Sequence, residues 1–393
     1  MRKAFFAVAF AGALAAFSSQ PAVAADKLKV GFLVTLSGPA GVAIYGQYLR
    51  EGFTLGVEEL GGRLGGLPTE VSINDDQFKP DVAKQLAERL VKRDRVDIVT
   101  GTMYTNILLA VYDSVVDSKT ILISQSAGPS PIAGKKCSPY FFTTAGVLEQ
   151  VSAAVGQYLQ DQGVKRVIAI ASNYQAGLDA VNGFKAKYRG NVINAIYPAL
   201  GQPDYSAEIS QIAAAKPDAV YAFIATGAGI NFVKQYAEAG LMNKLPLYTT
   251  NMIGPATLPA IGDIALGARS AAFWTPDMDN AASKHFVEAY RKKYNRVPPV
   301  YAAQAYDAAR LIDAAVRQIK GKVEDKEALV KALASAKFDS VRGPFKFNNN
   351  GFPIANFYAT EIVKDKDGTL VEANRGLILK DDKDGYHQEC PLK

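Results

Sequence analysis

Along most of the chain, short apolar runs alternate with stretches whose apolar residues recur at helical spacing. The pattern predicts strand 29–36, helix 43–60, strand 69–74, helix 80–92, strand 97–100, helix 105–116 and strand 120–124. A loop around Cys137 interrupts the series. It then resumes with helix 148–159, strand 166–171, helix 177–188, strand 192–197, helix 206–214, strand 219–224 and helix 230–239. Short strands joined by helices imply parallel sheets covered on both faces, so two series imply two doubly wound α/β lobes. In such lobes small ligands bind at the carboxyl ends of the strands.

The first residues change the compartment. Arg2 and Lys3 precede an apolar run, 4–17, too short to span a bilayer, and Ala22-Val23-Ala24 follows with the small residues a signal peptidase needs. Residues 1–25 are therefore expected to be a signal peptide cleaved after Ala24 or Ala25, with no cysteine nearby to take a lipid and the mature chain free in a periplasm. About 368 residues then remain of 393, enough for two domains. The 44 basic residues exceed the 38 acidic ones by six, or by four without Arg2 and Lys3. They are scattered, which argues for a solvated surface and against a nucleic-acid partner. The only cysteines, Cys137 and Cys390, form an even pair in an oxidising compartment and are expected to be a disulfide.

Catalytic patterns are missing. Ser126 lacks the glycine two residues before it that a nucleophile elbow needs, and His285 and His387 are the only histidines. Five residues separate Gly128 from Gly134 where a phosphate loop has four, and Phe232 occupies the place of the third glycine after Gly227-Ala228-Gly229. Asp75 and Asp76 are adjacent and point apart in an extended segment. No catalytic residue, cofactor or metal is expected. The strand ends instead carry tyrosines and small hydroxyl residues. Segments 101–106 and 124–128 each follow a strand, and together they offer backbone N–H groups with the Thr105 and Ser126 hydroxyls, a set suited to a carboxylate.

Taken in order, Ser37-Gly38-Pro39, Tyr45-Gly46, Asn74-Asp75-Asp76, Gly101 to Thr105, Ser124 to Gly128, Tyr174 to Gly177, Lys234-Gln235 to Gly240-Leu241 and Tyr306-Asp307-Ala308 resemble the branched-chain amino-acid class of periplasmic binding proteins. These are type I receptors of ABC importers. The resemblance implies two lobes joined by three crossings, near Thr144, Trp274 and Asn348. Lobe 1 would be 26–145 with 275–347, and lobe 2 would be 146–274 with 348–393. It also implies capture by hinge closure without chemistry, a membrane permease as partner and a monomeric receptor. Carried over by position, Tyr45 covers the ligand, and Tyr104, Thr105, Ser126, Ala127 and Gly128 surround its carboxylate. Tyr174 closes from lobe 2, Tyr301 lines the far end, and Thr226 with Gly227 stands where amino-acid receptors place an aromatic.

One departure bears on the ligand. Amino-acid receptors of the class set an acid against the ligand ammonium where this chain has Asn251. An ammonium buried without a counter-charge costs several kcal/mol, worth roughly two decades of affinity or more. The expected ligand is therefore a small carboxylate without an amine, an aromatic acid of the benzoate, hydroxybenzoate or cinnamate type, with Asn251 or a tyrosine hydroxyl meeting a ring substituent. The alternatives are a branched-chain or other aliphatic amino acid, if Asp277 or Glu149 reaches the cleft, and a small amide or urea. An exported hydrolase is the remote rival.

Overall fold

The structure, a computed structural model, describes residues 26–39 and 41–392. The signal segment and its cleavage position lie outside the described residues. Among those residues no helix is long and apolar enough to cross a membrane.

Two sheets organise the chain. The first contains β1 (Leu28–Val34), β2 (Arg63–Leu64), β3 (Leu67–Asp75), β4 (Ile98–Gly101), β5 (Ile121–Ser124) and β6 (Phe141–Thr143), in the order β2-β3-β1-β4-β5-β6. All its pairings are parallel except the short β2–β3 hairpin at one edge. The second contains β7 (Arg166–Ala171), β8 (Asn191–Ile196), β9 (Ala219–Phe223), β10 (Leu247–Thr249), β11 (Arg269–Ala272), β12 (Lys346–Phe347), β13 (Pro353–Lys364) and β14 (Leu370–Asp382). Its order is β12-β13-β11-β10-β9-β7-β8, with β14 added to β13. Central strands such as β4, β5 and β9 are buried at every residue, as helices on both faces require.

The parallel expectation needs amendment at one edge. β13 runs antiparallel to β11, β12 and β14, so the second sheet is mixed. The long hairpin β13–β14 follows the last helix and needs no crossover, because a tight turn suffices to reverse an antiparallel strand.

The C-terminal half also returns to the first lobe. Helix Val300–Gln318 packs on helix Ala43–Glu59. The approach is so close at Gly52 that a Cβ there would stand 2.0 Å from the Ala302 carbonyl oxygen. Local signals set the helix ends: Pro80 opens helix Pro80–Lys92, and the Asn280 side chain caps helix Ala281–Tyr294 by accepting from the Ser283 N–H at 2.8 Å. Cys137 and Cys390 are bonded, their Cα atoms 5.6 Å apart, so the expected disulfide ties the C-terminal tail to the loop after β5 across 253 positions.

Candidate functional site

Register brings the carboxyl ends of the strands into two rows. In the first sheet Leu33 pairs with Gly101, Gly101 with Ser124 and Ser124 with Thr143. In the second, Ala171 pairs with Phe223 and Ala222 with Thr249. The loops leaving these ends face each other.

On the first-lobe side the chain turns sharply after β4. Gly101 has φ of 109° and Thr102 has φ of 55°, a left-handed conformation that a β-branched residue adopts only under constraint. The constraint is visible. The Thr102 N–H donates to the Leu33 carbonyl at 2.8 Å, and its hydroxyl lies 2.9 Å from that of Ser124, which donates to the Ala127 carbonyl at 2.6 Å. The Ala127 N–H closes the clamp on the Thr102 carbonyl at 3.1 Å. Segments 101–105 and 124–128 are thereby fixed to each other.

That clamp aims a set of open donors. The first backbone bond of helix Thr105–Val116 runs from the Leu108 N–H to the Tyr104 carbonyl at 2.9 Å, which leaves the N–H groups of residues 105–107 at an open helix N-terminus. The hydroxyls of Thr105 and Ser126 have no hydrogen-bond partner among the described residues. An anion meets the helix dipole and uncommitted donors here, with no lysine or arginine in the wall.

The opposite wall is aromatic and also strained. Tyr174 stacks on Phe223 with centroids 6.4 Å apart and planes 12° from parallel. Thr226, with φ of 66°, and Asn251, with φ of 53°, follow β9 and β10. Facing this wall from the first-lobe side, Tyr45 and Tyr301 meet edge to face at 5.1 Å. Burial pushes the phenols of Tyr45, Tyr104, Tyr174 and Tyr301 well above their usual range, so they stand as neutral hydroxyls and bring no negative charge into the cleft.

Between the walls lies a cavity of about 80 Å³, room for several water molecules at the roughly 10–15 Å³ each needs. That size suits a small molecule and no peptide. Tyr45, Tyr104, Thr105, Ser126, Ala127 and Gly128 line it from the first lobe and Tyr174, Thr226 and Asn251 from the second, with Tyr301 at the start of helix Val300–Gln318. None of its lining residues is charged. Gly227 does not line it. That glycine lies against Gly41 instead, because the helix beginning at Ala228 carries its backbone to the outer rim.

Sequence reasoning missed Met103, Leu148, Ala176 and Phe223 to Ala225 in the lining. Phe223 had a usable signal, since Tyr221 and Phe223 alternate on β9. The two acids considered as counter-ions are elsewhere: Asp277 accepts from the Asn374 N–H at 3.0 Å, and Glu149 from the Gly385 N–H at 3.3 Å. The carboxylate that borders the site, in an adjoining compartment, belongs to Glu372.

The lobes touch around this cavity. The Tyr45 hydroxyl lies 3.5 Å from the Thr226 carbonyl, and that of Tyr301 donates to the Asn251 carbonyl at 3.3 Å. A Cβ built on Gly41 would stand 2.6 Å from the Gly227 Cα.

Residues 27–368 match the family described as periplasmic binding protein. A Leu/Ile/Val-binding protein homologue of Brucella melitensis biotype 1 is 30% identical over 368 residues, covering 91% of this chain and 93% of its own. A solute-binding protein of an ABC transporter from R. palustris, solved in complex with benzoate, is 31% identical with a TM-score of 0.87, covering 93% of this chain and 100% of its own. Another, from Rhodopseudomonas palustris BisB5, holds 3,4-dihydroxybenzoic acid; it is 31% identical with a TM-score of 0.84, covering 91% of this chain and 99% of its own.

Proposed function

Because the chain belongs to the periplasmic binding protein family and is a solute-binding protein of the ABC-transporter kind, we propose that its cargo is an aromatic monocarboxylate of the benzoate, hydroxybenzoate or cinnamate type. The observation that carries this reading is a tyrosine-lined cavity with open anion donors at one end and no charged residue in its wall. A carboxylate is satisfied there by the N-terminus of helix Thr105–Val116 and the Thr105 and Ser126 hydroxyls. The ammonium of an α-amino acid would sit beside the same carboxylate with no counter-charge, at a cost of several kcal/mol. A ring burying about 150 Å² gains roughly 3–4 kcal/mol from area alone, before contact with the faces of Tyr174 and Tyr45.

Identity does not separate the two ligand classes, since the relatives named for Leu/Ile/Val and for benzoate are 30% and 31% identical. What favours the aromatic acid is the cavity wall, which carries tyrosines and no charged residue. In this reading the lobes are 26–145 with 275–347 and 146–274 with 348–393, and the receptor works in a periplasm, closing on its ligand and presenting it to a permease. Both carbonyls that receive the Tyr45 and Tyr301 hydroxyls belong to the opposite lobe, so those contacts form only on closure. Calorimetry of the mature protein against benzoate, 4-hydroxybenzoate, cinnamate and leucine tests the proposal. An aromatic acid is expected to bind at about 1 μM or tighter and leucine at least about tenfold more weakly. Micromolar leucine with no response to any aromatic acid overturns it.

A further inference from the structure

Asn251 and Tyr301 line the ligand cavity on one side and a second compartment of about 30 Å³ on the other. The wall of that compartment includes Glu372, which β14 carries in from a part of the chain that otherwise stays outside the cleft. Its two carboxyl oxygens differ. Oε1 accepts from the buried hydroxyl of Thr360 on the neighbouring strand at 3.0 Å. Oε2 has no hydrogen-bond partner among the described residues, and it stands 3.0 Å from where a Cβ on Gly254 would be. Glu372 makes no salt bridge among those residues. The carboxyl group is thus anchored by one oxygen and leaves the other uncommitted, next to an Asn251 side chain that also lacks a partner. Burial holds it high, at about 7, with Asp277 adding to the effect.

We infer that Glu372 determines specificity by accepting a hydrogen bond from a hydroxyl or amino substituent at the end of the aromatic acid remote from its carboxylate. The inference rests on the function proposed above and refines it to donor-substituted ring acids. Position is what selects this role. The α-ammonium of an amino acid is bonded to the carbon next to the carboxylate and would lie beside Thr105 and Ser126, neither of which borders the Glu372 compartment. A benzene ring instead spans from those hydroxyls toward Asn251 and Tyr301, and only a substituent on its far carbon enters the second compartment. A carboxyl oxygen accepts from a phenol whether or not the group is protonated. A carboxyl oxygen that the bound ring shuts off from water and leaves without a donor is costly, so the unsubstituted ring should be discriminated against.

Calorimetry with benzoate, 4-hydroxybenzoate, 4-methoxybenzoate and leucine, on wild type, Glu372→Gln and Glu372→Leu, tests the assignment. Wild type should bind 4-hydroxybenzoate at least about tenfold more tightly than benzoate or the methoxy compound, which cannot donate. In Glu372→Leu the two acids should fall within about threefold of each other, benzoate recovering what the undonated oxygen cost it, while Glu372→Gln keeps part of the preference through its carbonyl oxygen. Unliganded melting temperatures close to wild type exclude misfolding. Equal binding of benzoate and 4-hydroxybenzoate to wild type, or a preference that survives Glu372→Leu, overturns the inference and leaves the aromatic-acid reading intact. Binding of none of the three aromatic acids overturns both. Leucine binding that Glu372→Leu abolishes would pair the carboxylate with an ammonium and likewise overturns both.

Discussion

Between helix Gln175–Lys187 and the segment after β5, Ser130 donates twice to the Asp179 carboxylate, from its backbone N–H at 3.0 Å and from its hydroxyl at 2.7 Å. Ser130 follows segment 124–128 of the first lobe, and Asp179 lies on helix Gln175–Lys187 of the second. On the proposed hinge closure the pair would act as a latch between lobes. Hydrogen bonds to a charged group contribute about 1.5–3 kcal/mol, and if the proposed closure brings the two segments together these bonds add to the closed state. Asp179→Asn should therefore raise the ligand Kd by roughly tenfold, chiefly through faster dissociation. Stopped-flow release of bound aromatic acid measures this. An unchanged dissociation rate would mean the pair follows closure without favouring it.

Gly41 sets a limit on closure. Its φ of 81° and the 2.6 Å that would separate its Cβ from the Gly227 Cα leave no room for a side chain between the lobes. Gly41→Ala should hold the lobes apart, weakening ligand binding by about tenfold or more while costing roughly 1 kcal/mol of unliganded stability from the strained φ. Solution scattering checks the mechanism: the radius of gyration of wild type should shrink on adding ligand, and that of the variant should not.

Local signals made much of this site readable. Thr105, Ser126 and Tyr174 stand where a buried strand ends and a helix or turn begins, and both facts are written within a few residues. Cys137 and Cys390 paired because no other cysteine was available. Long-range geometry was not readable. Glu372 reaches the site only through the register of β13 with β14, and its neighbours Asn251 and Tyr301 are some 121 and 71 positions earlier in the chain. Gly227 was placed beside the ligand by the resemblance, with Thr226 at the strand end where amino-acid receptors place an aromatic, but Thr226 takes a left-handed turn and Gly227 lies at the rim.

The disulfide closes a loop spanning 253 positions, for which chain entropy alone gives about 5 kcal/mol, with measured values often smaller. Cys137 and Cys390 should resist alkylation until the protein is both denatured and reduced. Reduction should lower the melting temperature by several degrees with little effect on ligand affinity, since neither cysteine lines the cavity. Labelling of both thiols after denaturation without reductant would contradict it.

Glu149 gives a pH signature. Burial, reinforced by Asp384, Asp382 and Asp179, moves its carboxyl from an ordinary 4.5 up to about 7, only the Gly385 N–H opposing the shift. The folded state therefore holds the proton more tightly than the unfolded state. The resulting stability is complete below about pH 4.5 and is lost as pH rises to about 7, by at most roughly 3 kcal/mol. Glu149→Gln cannot ionise, so relative to wild type it should be progressively more stable as pH rises from 5 to 8 (about 3 kcal/mol at most). Urea titrations of both proteins across that range measure the difference. A difference independent of pH would show that Glu149 ionises as freely folded as unfolded.

The ligand-facing substitutions bear most directly on function. Thr105 has a hydroxyl without a protein partner at the open end of its helix, so Thr105→Val removes a donor and leaves the shape. An aromatic acid should then bind with a loss of roughly 1–3 kcal/mol, about 5- to 150-fold. Asn251 tests the opposite wall. Its φ of 53° is one that aspartate also tolerates, so Asn251→Asp introduces a charge without new backbone strain. That charge shares the cavity with the ligand carboxylate, and the aromatic acid should weaken by about tenfold or more. Leucine should gain affinity in the same variant, because its ammonium now has a counter-charge. Calorimetry of the wild type and both variants with 4-hydroxybenzoate and leucine decides the matter. An Asn251→Asp variant that leaves both ligands unchanged would place Asn251 out of reach of the cargo and remove the ground on which the amino acids were set aside.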